Sequence, residues 1–187
     1  MTKNEESEFL NSLLKDGLDK LNQNLSNEAL ICFNKILSIK PNHPQTINLV
    51  GICHFNLKKF ELAINNFKKA ISIDSKQDGF YINLGNTFKE IKDFNNAKKI
   101  YEEGLKLNKN QTIFYNQIGL LLFSFQNYTE AREYYLKALK FDSNNYQALN
   151  NLGLLENELS NFSMAKEYYY KSLEKNSEYR TAHFNLG

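Results

Sequence analysis

Glycine recurs in this chain at a constant interval. Gly17, Gly51, Gly85, Gly119, Gly153 and Gly187 are each 34 residues apart and make up six of the eight glycines. Ala29, Ala63, Ala97, Ala131 and Ala165 follow successive glycines by twelve residues. An aromatic follows each alanine by four: Phe33, Phe67, Tyr101, Tyr135 and Tyr169. Three residue types keep one period. A chain with such a repeat is built from one supersecondary unit stacked on itself, because a single unit cannot bury its apolar face alone.

Each unit reads as two helices. If the glycine is numbered position 8, helix A covers roughly positions 1 to 14 and helix B roughly 15 to 28. Only Pro41 and Pro44 interrupt, both at one junction, and turns are expected where Asn, Asp, Ser and Lys cluster, as in "KPNHPQ", "DSKQDG", "NKNQ" and "DSNN". Positions 4, 7 and 11 of helix A lie within about 60° of one another at 100° per residue. They carry Ile47 and Val50; Tyr81, Leu84 and Phe88; Tyr115, Ile118 and Leu122; Leu149 and Leu152, an amphipathic stripe. Helix B presents the alanine, the aromatic and then Leu37, Ile71, Leu105, Leu139 or Leu173. A glycine inside a helix costs about 1 kcal/mol relative to alanine. It is expected here to let helix A approach the alanine of helix B, with the aromatic filling the space beside them.

This pattern resembles the tetratricopeptide repeat: 34 residues, small residues at positions 8, 20 and 27, an aromatic at 24. The resemblance covers residues 10–187, as full repeats at 10–43, 44–77, 78–111, 112–145 and 146–179 and a partial one at 180–187, after a polar N-terminal segment, residues 1–9. It implies an all-α fold, a right-handed α-solenoid of antiparallel helix pairs. Some positions depart from the family. Position 4 is never Trp, and position 32 is Pro only at Pro41. Asp16 and Lys20 replace apolar residues at positions 7 and 11 of the first repeat, which suits a polar cap. Glu156 at position 11 of the fifth has no such account. Gly104 replaces an alanine at position 27 and is expected to weaken its helix.

Composition narrows the function. Net charge is +2, with 23 Lys+Arg against 21 Asp+Glu, which gives no electrostatic case for nucleic acid or an anionic membrane surface. No apolar run is long enough to span a bilayer. "MTKNEESE" lacks the apolar core of a secretory signal, so a cytoplasmic protein is expected. Cys32 and Cys53 have no metal-ligand spacing and read as buried, reduced thiols. His43, His54 and His183 share no motif, and His54 occupies the aromatic slot at position 11. No phosphate loop, nucleophile elbow or zinc-helix motif is present, so the chain reads as no enzyme, with no cofactor and no metal.

Binding is therefore the expectation. Repeat solenoids bind along an extended groove. Positions 2, 5, 6, 9, 12 and 13 of helix A lie opposite the apolar stripe, and in the family such a face lines the concave surface. It holds Asn48, Ile52 and Phe55; Ile82, Asn83, Asn86 and Lys89; Asn116, Gln117, Leu120 and Phe123; Asn150, Asn151, Leu154 and Asn157. Position 6 reads Asn83, Gln117, Asn151 and Asn185 in successive repeats. A column of carboxamides can donate to and accept from a peptide backbone whatever its sequence. It resembles the asparagine ladder in the repeat arm of O-linked N-acetylglucosamine transferases. The background is high, since Asn makes up 27 of 187 residues. The family's carboxylate clamp needs a basic pair flanking a central Asn. Asn48 and Ile52 flank Asn83 on one side and Ile113 and Gln117 on the other, so the clamp is not expected.

These residues suggest a protein–protein interaction scaffold that takes an extended peptide or partner helix in the groove. The alternative is the N-terminal substrate-presenting arm of a larger enzyme, a glycosyltransferase or sulfotransferase by fold-level analogy. Residues 180–187 read as the opening of a sixth helix A, shorter than the roughly 12–15 residues an isolated helix needs. They are expected to fray, and the chain is expected to be the truncated front of a longer protein. Self-association through that uncapped end is a third expectation.

Overall fold

The computed structural model describes residues 2–107 and 111–186. Gly187, and most of the "NKNQ" turn, lie outside them. Among the described residues there are eleven helices and no strand. They are α1 (Lys3–Asn22), α2 (Ser26–Ile39), α3 (Pro44–Asn56), α4 (Phe60–Ile73), α5 (Asp78–Glu90), α6 (Phe94–Leu107), α7 (Gln111–Ser124), α8 (Tyr128–Phe141), α9 (Tyr146–Glu158), α10 (Phe162–Lys175) and α11 (Arg180–Leu186). The chain divides into two compact units, residues 1–100 and 101–187. Within unit 1, α1 pairs with α2 and α3 with α4; within unit 2, α7 pairs with α8 and α9 with α10. Each pair packs on the next helix A: α2 on α3, α4 on α5, α8 on α9, α10 on α11. This is the all-α solenoid class, built from consecutive helix hairpins.

Helix α1 starts well before residue 10. Thr2 accepts a hydrogen bond from the Glu5 amide at 3.3 Å while the Glu5 carboxylate accepts from the Thr2 amide at 2.7 Å, a capping box that starts the helix in the polar segment. At the other end, α11 is helical over seven residues. Ala182 is fully buried, and the Tyr179 ring meets that of Tyr146 edge-on at 4.8 Å. The helix packs on α10 and α9 of the fifth repeat.

The recurring glycine works differently from the expectation of facing an alanine. A Cβ placed at Gly17, Gly51 or Gly119 would stand 2.5 Å from the edge of the Phe33, Phe67 or Tyr135 ring, and one at Gly153 would strike Tyr169 in the same way. The ring at position 24 itself lies over the glycine. All four rings are buried. Gly104 follows the same logic one interface further on: a Cβ there would collide with the Phe114 ring on the next helix A. Gly104 therefore has a packing role beside its low helix propensity, because the missing methyl makes room for Phe114.

Helix A also buries more than its expected stripe. Positions 3 and 10 are buried alongside 7 and 11. In unit 1 these are Thr46 and Cys53, Phe80 and Thr87; in unit 2, Phe114 and Leu121, Ala148 and Leu155. A helix between its own partner and the preceding pair is covered on two sides, so it departs from simple amphipathicity.

The turn from helix A to helix B is closed by the backbone. Asn24, Lys58, Lys92, Gln126 and Ser160, all at position 15, have φ between 57° and 62°. The amide of the following residue donates to the carbonyl five residues back: Leu25 to Lys20, Lys59 to His54, Asp93 to Phe88, Asn127 to Leu122 and Asn161 to Glu156, at 2.8 to 3.0 Å. This is the six-to-one bond of a Schellman end, in which a left-handed residue turns the chain. None of the five residues is glycine.

Two outcomes follow. Gln126→Gly and Ser160→Gly should each stabilise the chain by roughly 0.5–1 kcal/mol in thermal unfolding, since glycine relieves the left-handed penalty at some cost in unfolded-state entropy. Gly104→Ala should lower the melting temperature despite a helix-propensity gain of about 1 kcal/mol, because overpacking costs about 1–3 kcal/mol. In a double-mutant cycle, Phe114→Leu should remove most of that loss.

Candidate functional site

The helix-A faces are best taken one unit at a time. In unit 1, Ile52 and Phe55 on α3 are half-buried, as are Asn48, Asn83 and Asn86. Asn83 Nδ2 donates to Asn48 Oδ1 at 2.9 Å, joining position 6 of α5 to position 5 of α3. The Phe55 ring meets Phe60 edge-on at 5.7 Å, which fixes one rim of the face.

In unit 2 the same bond recurs between α9 and α11, where Asn185 Nδ2 donates to Asn150 Oδ1 at 3.0 Å. Both pairs span 35 residues, position 5 to position 6 of the next repeat. Asn116 and Asn151 stand in the same relation, but Asn116 Nδ2 donates instead to Asn145 Oδ1 at 2.9 Å. Asn145 is the N-cap of α9, and the same oxygen accepts the Ala148 amide at 2.7 Å. Asn116 Oδ1 is left buried with no hydrogen-bond partner among the described residues. Asn116, Asn150 and Asn151 are 5%, 1% and 8% exposed. Gln117, Leu120 and Leu154 are half-buried and Phe184 is 85% exposed.

The carboxamides therefore differ from a row of free groups awaiting a ligand. Position 5 points toward the next helix A, and two of the position-6 amides each donate one hydrogen bond to it. Those bonds tie neighbouring repeats together. In unit 2, Gln117, Leu120, Phe123 and Leu154 are half-buried and Asn157 is exposed on this face.

Glu156 gains an explanation that its sequence context did not supply. It is wholly buried on α9 and forms an ion pair through Oε1 with Arg132 Nη1 of α8, one of only two arginines in the chain. That guanidinium N–H is not aimed along the contact, so Oε1 has no directed hydrogen bond among the described residues. Oε2 accepts from Asn161 Nδ2 at 2.9 Å. Position 11 is apolar at Phe88 and Leu122, so this ion pair replaces a hydrophobic contact. In the first repeat, Lys20 pairs with Asp16 at 3.1 Å and Asp16 accepts from Cys32 Sγ at 3.1 Å. The Cys32 hydrogen bond, then the Lys20 hydrogen bond, hold the Asp16 carboxyl below its ordinary range.

Both thiols are buried and in no disulfide, and burial pushes that of Cys53 up to about 11, which keeps it protonated and inert. His54 is half-buried in its aromatic slot and faces Asn66 Nδ2 at 3.2 Å; burial, then the Lys59 charge, lower its pKa. Among the described residues no cluster of three or more His, Cys, Asp or Glu is placed to hold a metal ion. Among them, too, no helix is long and apolar enough to cross a membrane.

The ion pair makes a direct prediction. Arg132→Met leaves a buried carboxylate uncompensated and should cost about 3 kcal/mol, the low end for such a lesion because Arg132 is partly exposed. Arg132→Met with Glu156→Leu should recover most of that loss in chemical denaturation, since an apolar pair can replace a buried ion pair at little cost.

Comparison with known proteins agrees with this architecture. The sequence profile of the tetratricopeptide repeat matches residues 44–77, 79–111, 113–145 and 146–178. No curated protein matches the chain. Among solved structures, MamA is 23% identical with a TM-score of 0.66, the match covering 87% of this chain and 95% of that one. TTC0263, a thermophilic TPR protein in Thermus thermophilus, is 16% identical with a TM-score of 0.76, covering 95% and 96%. YrrB, described as a TPR protein with an unusual peptide-binding site, is 18% identical with a TM-score of 0.58, covering 92% and 89%. At these identities the likeness is one of fold. With four successive repeats matched and the glycine–ring packing and hairpin turns in register, the chain belongs to the tetratricopeptide repeat family.

Proposed function

We propose that this chain is a protein-interaction scaffold that holds an extended peptide or a partner helix against its helix-A faces. The observation that carries the reading is the partly open apolar surface on those faces. Ile52 and Phe55 in unit 1, and Leu120 and Leu154 in unit 2, are only half-buried beside carboxamides that already tie the repeats. An apolar side chain seated there would gain burial on a framework that needs no rearrangement to receive it. Gln117 supplies a donor and an acceptor for a backbone. The description of YrrB as peptide-binding is in keeping with this use of the fold.

A peptide array tests it. Wild type should retain peptides that Leu120→Asp/Leu154→Asp or Ile52→Asp lose, with binding weakened about tenfold or more for each buried apolar contact removed. Retention of every bound peptide by all these variants, with melting temperatures unchanged, would refute the assignment.

A further inference from the structure

A cleft opens beside the A-to-B turn in each unit. In unit 1 it lies between the start of α4 and Ile91, just past α5; in unit 2 it lies between the start of α8 and Leu159, just past α9. The two clefts use the same repeat positions: 15 to 18, 21, and 14 of the following repeat.

They share an aromatic, Phe60 or Tyr128, and an aliphatic, Ile91 or Leu159, and differ at the other positions. In unit 2, Gln126, Asn127 and Thr129 line the cleft, and position 21 is Arg132, held by buried Glu156. In unit 1, position 21 is Ile64, and Phe60, Leu62 and Ile91 complete an apolar floor. Leu62 is 47% exposed and Ile91 41%. Phe60 is braced from behind by Phe55. Lys58 and Lys59 stand at the edge against one carboxylate, Glu61. Neither ammonium is among the ion pairs formed by the described residues, all of which involve Lys20, Arg132 or Lys171.

We propose that the unit 1 cleft docks a short segment of another protein that presents one large apolar side chain beside an acidic residue. The floor of Phe60, Leu62, Ile64 and Ile91 takes the apolar anchor out of water. The two unpaired lysines select a carboxylate beside it and oppose a basic flank. The corresponding cleft in unit 2 keeps Tyr128 and Leu159, but Gln126 and Asn127 stand where Lys58 and Lys59 do and its cation, Arg132, is already paired with Glu156, so it lacks the positive edge. This docking does not require the helix-A faces.

A displayed random-peptide library selected against the intact chain tests the proposal. Enriched sequences should place Phe, Leu, Ile or Met beside Asp or Glu. Synthetic versions should bind at least about tenfold more weakly to Ile91→Glu and to Leu62→Glu, each of which puts a charge on an apolar contact. Lys58→Ala/Lys59→Ala leaves the floor intact and should erase the preference for acidic flanks and the sensitivity to salt. Leu120→Asp/Leu154→Asp should leave these peptides bound. Thermal unfolding of each variant confirms that it folds. A selection without enriched peptides, peptides indifferent to both cleft substitutions, or peptides with no acidic preference would overturn the proposal. So would self-association in sedimentation that Ile91→Glu abolishes, which would make the occupant a second copy of the chain. Peptides lost only with Leu120→Asp/Leu154→Asp would uphold the helix-A faces and overturn the cleft.

Discussion

The contact between a helix-A glycine and the aromatic ring of helix B is the constraint on which four of the hairpins rest. Gly17 under Phe33, Gly51 under Phe67, Gly119 under Tyr135 and Gly153 under Tyr169 leave no room for one methyl group. A helix-interior glycine is unfavourable by itself. Here the loss is recovered by seating a large ring against backbone, where it is fully removed from water. Once the ring is seated, the distance and rotation of the two helices are set. The positions that then face the neighbouring pair follow from helix geometry. Gly104 under Phe114 extends the same device from helix B to the next helix A.

Polar groups join repeats where apolar packing alone would not distinguish one repeat from another. Asn83 to Asn48 and Asn185 to Asn150 recur at the same spacing in the two units. Their amides bridge adjacent helices A, so each bond forms only when the right neighbour is docked. The Arg132–Glu156 ion pair does this once, at a position that is apolar in the third and fourth repeats, Phe88 and Leu122. A buried charge must find its partner, and mispaired repeats would leave it bare. Asn116 is the exception. Its amide turns to the cap of α9 and leaves a carbonyl oxygen without a donor among the described residues.

The surfaces left for partners are what remains after these internal demands are met. On the helix-A faces that remainder is apolar with a few carboxamides. Beside the A-to-B turns it is a cleft whose character changes with the residues at positions 15, 16, 18 and 21: Lys58, Lys59, Glu61 and Ile64 in unit 1; Gln126, Asn127, Thr129 and Arg132 in unit 2. A repeat fold can thus keep its packing residues periodic while the residues at the clefts vary from copy to copy.

The helix pairs, their period and most of the core were legible in the sequence, because packing identical units forces the same small and large residues back at the same spacing. Gly, Ala and aromatic at positions 8, 20 and 24 carry that signal. The left-handed residue at position 15 was not legible. Asn24, Lys58, Lys92, Gln126 and Ser160 share no chemistry, and the backbone bond that holds each of them is independent of the side chain. The candidate site was legible only in part. A helical wheel places Asn48, Asn116 and Asn150 on the open face, since it treats each helix as isolated. Only the docked neighbours show that position 5 faces the adjacent helix A, where Asn48 and Asn150 accept through Oδ1 and Asn116 donates through Nδ2. Glu156 was visible as an anomaly, yet its reason lies in Arg132, twenty-four residues away in the chain and brought alongside by the stacking of α8 on α9. The sequence by itself determined the unit and its repetition, because they depend on local periodicity. Tertiary structure decided which polar groups remain for a partner, because that depends on contacts between repeats.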